Sequence, residues 1–251
     1  MHQSVNQVPR TFREKTGFYL LPSLFTFSAL FFAFFAITEA MELHYDHVGW
    51  AMVACLLLDG LDGRVARWTG KQGRFGEELD SIADMVSFGV APSLIMYIAL
   101  LQPLGKLGYL VMFIYCVCAA MRLALFNTLI GIADKKWFMG LPSPSAASLV
   151  IGFIWVWHNF FPTYEHSTGL GTVFTLFAAF SMVVPIKFWS FKGIEDKRLR
   201  WYNNGLIFFT LFLLCTTVPS VVYFSFFLIY VLASYLGAIV RYSQGAKNFP
   251  I

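Results

Sequence analysis

Long apolar runs separated by short polar segments fill nearly the whole chain, and none alternates with the period of two that a half-buried strand requires. A helix needs roughly 17 to 25 apolar residues to cross a bilayer. Eight such spans are predicted, over 18–38, 47–69, 74–100, 106–128, 143–161, 168–188, 203–217 and 219–241. In hydrocarbon only a helix or a closed barrel satisfies every backbone N–H and C=O, and continuous apolar runs select the helix. The first run follows Arg10, Arg13 and Lys15 and has no short apolar region ending at a small-residue cleavage site, so it reads as a retained helix. No linker divides the chain and no internal repeat is visible. The expected fold class is an all-α integral membrane protein with a single transmembrane domain over 1–251.

Composition agrees: 58% of residues are hydrophobic and 13% charged, too few charges to cover a soluble surface. The basic residues fall on one side of the predicted spans, Lys106 excepted, and a positive-inside bias makes that side, with both termini, cytosolic. The net charge of +4 is then mainly a topology signal with some attraction to anionic lipid headgroups, and no basic tract points to nucleic acid. Cys55, Cys116, Cys118 and Cys215 lie inside spans without metal-binding spacing and read as packing residues. Trp155, Trp157 and Tyr164 read as lipid-facing or interfacial aromatics. His44, Asp46 and His47 read as a polar loop on the side away from the basic residues, in preference to a zinc site.

Charges inside spans are expensive, and here they gather in one stretch, Asp59 to Asp84, DGLDGRVARWTGKQGRFGEELDSIAD. Relative to Asp59, the residues Asp62, Gly63, Ala66 and Arg67 lie at about −60°, +40°, −20° and +80° around a helix, which is one face. Asp80 and Asp84 share a face of the next helix. Gly70, Gly73 and Gly76 suit a turn between the two helices. The pair Asp59 and Asp84 and the pair Asp62 and Asp80 are centred on almost the same point of the chain, near residue 71. A hairpin turning there brings all four carboxylates to one depth, the outer pair roughly 18 Å from the turn. Acids gathered this way repel unless cations neutralise them, and an all-oxygen set favours Mg²⁺, Mn²⁺ or Ca²⁺ over zinc. Four carboxylates suffice for two ions, and Arg67 suits a diphosphate. Solvated pairing with Arg64, Arg67 and Arg74 is the plain alternative, and it leaves the two facing acidic stripes unexplained.

This run resembles the D-x-x-D-G-x-x-A-R-(x8)-G-x-x-x-D-x-x-x-D signature of the CDP-alcohol phosphatidyltransferase family at every fixed position: Asp59, Asp62, Gly63, Ala66, Arg67, Gly76, Asp80 and Asp84. The resemblance implies a six-helix core, here about 18–190, with a further helical hairpin at 203–241. It implies two divalent cations on Asp59, Asp62, Asp80 and Asp84, with Asp84 as catalytic base. It also implies CDP contacts from Asp62, Gly63, Ala66, Arg67 and Gly76, and a homodimer. Further stretches, YLLPSLFT (Tyr19–Thr26), DSIADMVSFGVAP (Asp80–Pro92), RLALFN (Arg122–Asn127) and FMGLPSPSA (Phe138–Ala146), resemble the membrane-integrated phosphatidylserine synthase branch. That branch implies CDP-diacylglycerol and L-serine as substrates, CMP as product and a bacterial inner membrane as location. Ser23 stands where asparagine is common there, and Leu125 where a second arginine is frequent. The same chemistry with glycerol 3-phosphate, inositol, inositol phosphate or choline is the nearest alternative, and a transporter a remote one. Ser87, Arg122 and Asn127 are candidate contacts to the acceptor or a lipid phosphate, each with a plain alternative: helix-backbone bonding, snorkelling and capping.

Overall fold

A computed structural model describes residues 20–68, 74–129, 137–161, 167–184, 187–189 and 217–243. Their helices are α1 (Leu20–Met41), α2 (Tyr45–Trp68), α3 (Arg74–Asp84), α4 (Ala91–Met96), α5 (Lys106–Leu129), α6 (Ser143–Phe160), α7 (Ser167–Val183) and α8 (Pro219–Ser243). Four stretches are long and apolar enough to cross a membrane: Leu24–Met41, Phe75–Leu104, Lys106–Thr128 and Pro219–Ile239. All expected spans but one fall on these helices. The exception, 203–217, lies outside the described residues apart from Thr217, as do Cys215 and Tyr164. The described cysteines Cys55, Cys116 and Cys118 are free thiols, as expected.

Helix α1 shows how a bilayer sorts residues. Ala29, Ala33, Ala36 and Ala40 recur on one face and are buried, whereas Leu24, Phe27, Phe31, Phe34 and Phe35 are exposed. Hydrocarbon gives no hydrophobic reason to hide the phenylalanines, so the small residues take the interface, where they let α2 approach closely. The turn between the helices is tight. His44 N–H donates to Glu39 O at 2.9 Å and Leu43 N–H to Ala40 O at 3.1 Å, the paired bonds of a Schellman cap. Leu43 occupies its left-handed position with φ 63°, where glycine is usual, at a cost of about 1–2 kcal/mol.

The turn is held from the far end of α6. Trp155 is 1% exposed, and its indole N–H donates to Asp46 Oδ1 at 2.6 Å. Asn159 donates to the same oxygen at 3.1 Å, and Tyr45 packs on the His158 ring. Trp155 is therefore a core residue and not an interfacial aromatic: its ring is buried, and its one polar atom is satisfied by Asp46 within the protein. Gly49 makes the fit possible, because a Cβ there would fall inside the indole. Gly49→Ala is expected to lower stability by about 1–3 kcal/mol through overpacking, read as a lower melting temperature in detergent with reduced tryptophan burial.

Helices α3 and α4 are parts of one rod interrupted by two π-helical turns, Met85–Val90 and Tyr97–Leu101, and closed by a 3₁₀ turn at Gln102–Leu104. Their wide bonds are explicit: Ala91 N–H reaches Val86 O, and Gln102 N–H reaches Tyr97 O. The first π turn packs into the core, with Ser87, Phe88 and Gly89 buried. The fully buried Tyr115 of α5 donates its hydroxyl to Phe88 O at 3.2 Å.

A short antiparallel ribbon accompanies the helices. β1 (Trp137–Met139) pairs with β2 (Lys187–Trp189), with Phe138 opposite Phe188. The span expected over 168–188 therefore stops at Val183, two residues before Pro185, whose ring disfavours helix in the residue ahead of it. Next to the ribbon, Gly140 has φ 77° and lies against Met182 O, while Leu141 N–H donates to Ser181 O at 2.9 Å. The ribbon and the α7 end are thereby tied together at the end of the bundle that carries the acidic residues. α8 joins this core through the Ser181–Tyr235 hydroxyl contact at 2.8 Å and the Asn159–Ser220 bond at 3.3 Å.

Candidate functional site

Asp59 and Asp62 lie on the last turns of α2, and Asp80 and Asp84 on α3. The connection 69–73 between them, with Gly70 and Gly73, lies outside the described residues. Carboxylate oxygens of Asp59, Asp62 and Asp80 lie within 4.8 Å of one another. Asp84 lies against Asp59, and Asp80 against Asp62. These are the two pairs that the symmetric spacing about residue 71 predicts. Carboxylates meet this closely only with a proton or a cation between them.

The surroundings are sparing with other partners. Asp62 is buried and accepts from Thr26 Oγ1 on α1 at 3.1 Å. Asp80 Oδ1 is buried and has no hydrogen-bond partner among the described residues. An acceptor oxygen left alone in a closed acidic group costs about 1–3 kcal/mol, a cost that a bound cation removes. The donor set is entirely oxygen and anionic, the chemistry of Mg²⁺, Mn²⁺ or Ca²⁺. The residues present therefore fit a divalent cation.

Gly63 lies on α2 one residue beyond Asp62, and Gly76 on the first turn of α3. A Cβ at Gly76 would meet nothing within 4 Å, so open space lies against the backbone there. Ala66 and Arg67 fall on the last turn of α2, and their side chains lie outside the described residues.

The three acceptor candidates separate. Ser87 sits on the first π turn, 1% exposed, with its hydroxyl against the Cys55 thiol. Arg122 on α5 is 7% exposed, lies over the Phe126 ring at 5.0 Å and feels the charge of Asp84. Among the described residues no carboxylate comes within 4 Å of it, the ion pairs there being those of His44 and His47. Asn127 is already engaged: its side-chain N–H donates to Ser81 Oγ at 2.6 Å, linking α5 to α3 beside Asp80. Thr26 and Ser81 were not among the expected residues. Thr26 stands out in the sequence only as a hydroxyl in an apolar run, a weak signal.

Two comparisons bear on this arrangement. The chain is 34% identical over 223 residues to a "CDP-diacylglycerol--serine O-phosphatidyltransferase" of Helicobacter pylori, covering 89% of this chain and 94% of the relative. It is 32% identical over 190 residues to a protein of the same name from Methanocaldococcus jannaschii, covering 76% and 81%. A Mycobacterium leprae protein of that name is 38% identical over 152 residues, 58% of this chain and 50% of the relative. Residues 19–186, which carry all four aspartates on α2 and α3, match the CDP-alcohol phosphatidyltransferase family, in general divalent-metal-dependent. By the family match over 19–186 and the likeness to the Helicobacter relative along most of both chains, the chain belongs to the CDP-alcohol phosphatidyltransferase family.

Proposed function

We propose that this protein transfers the phosphatidyl group of CDP-diacylglycerol to the hydroxyl of L-serine and releases CMP. The observation that carries the reading is the convergence of Asp59, Asp62, Asp80 and Asp84, with one buried Asp80 oxygen unpartnered, in a chain whose long-range relatives bear the serine-transferase name. The four aspartates would hold two divalent cations, Mg²⁺ or Mn²⁺, with Ca²⁺ possible by donor type. Bound there, such ions supply charge stabilisation to the phosphoryl group and to the departing CMP oxygens.

The chain's own residues do the rest. Thr26 fixes one oxygen of Asp62, so that the acid presents the other. Gly63, Ala66, Arg67 and Gly76 would contact the CDP moiety, and the open space at Gly76 supports close approach of the nucleotide to the backbone. Asp84 takes the proton of the serine hydroxyl as the serine oxygen bonds to the lipid-side phosphorus and the bond to CMP breaks. Arg122 is a buried cation within reach of the Asp84 charge and with no carboxylate within 4 Å among the described residues, and an incoming carboxylate would satisfy it. Ser87, one turn beyond Asp84 with a buried hydroxyl, is a second polar anchor for the acceptor. The Asn127–Ser81 bond supports a positioning part for Asn127, holding α3 against α5.

The family match over 19–186 supports a catalytic core of 18–190, with 203–241 as an added helical hairpin. The basic bias supports a cytosolic site and cytosolic termini, the Helicobacter relative supports a bacterial inner membrane, and family membership supports a homodimer as the working assembly. The test is an acceptor panel: membranes holding the protein receive CDP-diacylglycerol, Mg²⁺ or Mn²⁺, and one of serine, glycerol 3-phosphate, inositol, inositol phosphate or choline. CMP release is expected with serine. Release with another acceptor alone would overturn the serine assignment and keep the reaction class; none with any would overturn both. Arg122→Ala is expected to raise the KM for serine by about 10-fold or more while leaving that for CDP-diacylglycerol within a few-fold.

A further inference from the structure

A second cluster of ligating side chains lies at the opposite end of α2 from the aspartates. His47 and Asp59 are separated by a helical rise of about 18 Å, so the two groups share no ligand. Asp46, which the sequence places between the two histidines, turns away to Trp155 and Asn159. Its place is taken by Glu39 from the last turn of α1. His44 Nδ1 lies 3.2 Å and His47 Nδ1 2.6 Å from the same oxygen, Glu39 Oε2, and the two rings are 5.5 Å apart. Glu42 stands 3.5 Å from His44.

We infer that Glu39, His44 and His47 form a binding site for a borderline transition cation of the Zn²⁺ class, separate from the acidic centre. In a tetrahedral zinc site with bonds of about 2.0–2.2 Å, neighbouring ligand atoms are about 3.3–3.5 Å apart. The His44 contact already has nearly that spacing, and the His47 contact needs to open by about 0.7–0.9 Å, a small rotation for an exposed ring. Two imidazoles and one carboxylate are a donor set that zinc accepts with water in the remaining position. The set disfavours magnesium, which prefers six oxygens.

The backbone beneath is prearranged. The Schellman turn with left-handed Leu43 fixes His44 against Glu39, and the Asp46 bonds to α6 hold the first turn of α2. Binding would clasp the end of α1 to the start of α2, replacing the two histidine contacts to Glu39 with three coordination bonds.

The test uses the full chain without a polyhistidine tag, in detergent, with excess Mg²⁺ on the aspartates and Zn²⁺ as the probe. Equilibrium dialysis should retain one Zn²⁺ per chain, and Zn²⁺ should raise the melting temperature. His44→Ala/His47→Ala should lose that zinc and that rise, and Glu39→Gln should weaken binding about 10-fold. Co²⁺ in place of zinc should give tetrahedral absorption bands in the wild type only. A melting profile in EDTA reports whether the double variant folds; if it does not, His44→Asn and His47→Gln carry the comparison. Zinc retained equally by the histidine variants, or not retained by the wild type, would overturn the site.

Discussion

Asp84→Asn is expected to reduce CMP release by at least about 10²–10⁴-fold while the protein still folds and still binds CDP-diacylglycerol. Asn keeps the size of the side chain and can still accept a hydrogen bond, so the contact with Asp59 persists in altered form and the fold loses little. What it cannot do is take the hydroxyl proton that must leave serine as the new P–O bond forms. The measurement is single-turnover CMP release beside a binding isotherm for the lipid nucleotide. Turnover within about 10-fold of the wild type would remove Asp84 from the base role.

Asp80→Asn is expected to separate activity from stability in opposite directions. Three carboxylates with oxygens inside 4.8 Å, one oxygen buried and unpartnered, repel when no cation is bound. Two charges about 4 Å apart at an effective dielectric near 20 repel by about 4 kcal/mol, and a part of that is relieved when Asp80 becomes neutral. In EDTA the variant should therefore melt higher than the wild type by a few degrees, about 2–4 °C per kcal/mol for a chain of this size. In Mg²⁺ or Mn²⁺ the order should reverse, because the wild type gains stability from bound ions and the variant gains less. CMP release by the variant should fall at least about 100-fold, and EDTA should bring the wild type to background until Mg²⁺ or Mn²⁺ is restored. An Asp80→Asn protein that melts like the wild type in EDTA and gains equally from Mg²⁺ would place Asp80 outside the ion site.

The membrane helices were readable because hydrocarbon imposes a length and forbids charge, so α1, α5 and α8 announce themselves as apolar runs. The acid pairing was readable for a different reason: a hairpin maps equal distances from its turn onto equal depths, and Asp59 with Asp84 and Asp62 with Asp80 obey that rule. What stayed hidden depends on contacts between residues far apart in the chain. Nothing local says that Thr26 meets Asp62, that Asn127 meets Ser81, or that Asp46 leaves the histidines for Trp155. Trp155 was misread because tryptophans near a span end usually sit at the interface, and only the glycine opposite, Gly49, makes room for this one inside. The β ribbon was hidden for want of length, since three-residue strands carry no period. The π turns were hidden because a uniformly apolar rod has no polar stripe from which a change of pitch can be read.

Those wide turns have a consequence for how the third rod tolerates change. Each accommodates an additional residue per turn, so the segment bearing Asp80 and Asp84 is angularly decoupled from Ile95 and the rest of the shaft. Losing one residue between Val86 and Val90 lets the ladder close as an ordinary α-helix, with its backbone bonds intact and its apolar surface nearly unchanged. The two acids would then swing by about 100° relative to everything downstream. A chain shortened in this way inserts and packs much as before, but its carboxylates no longer look toward α2.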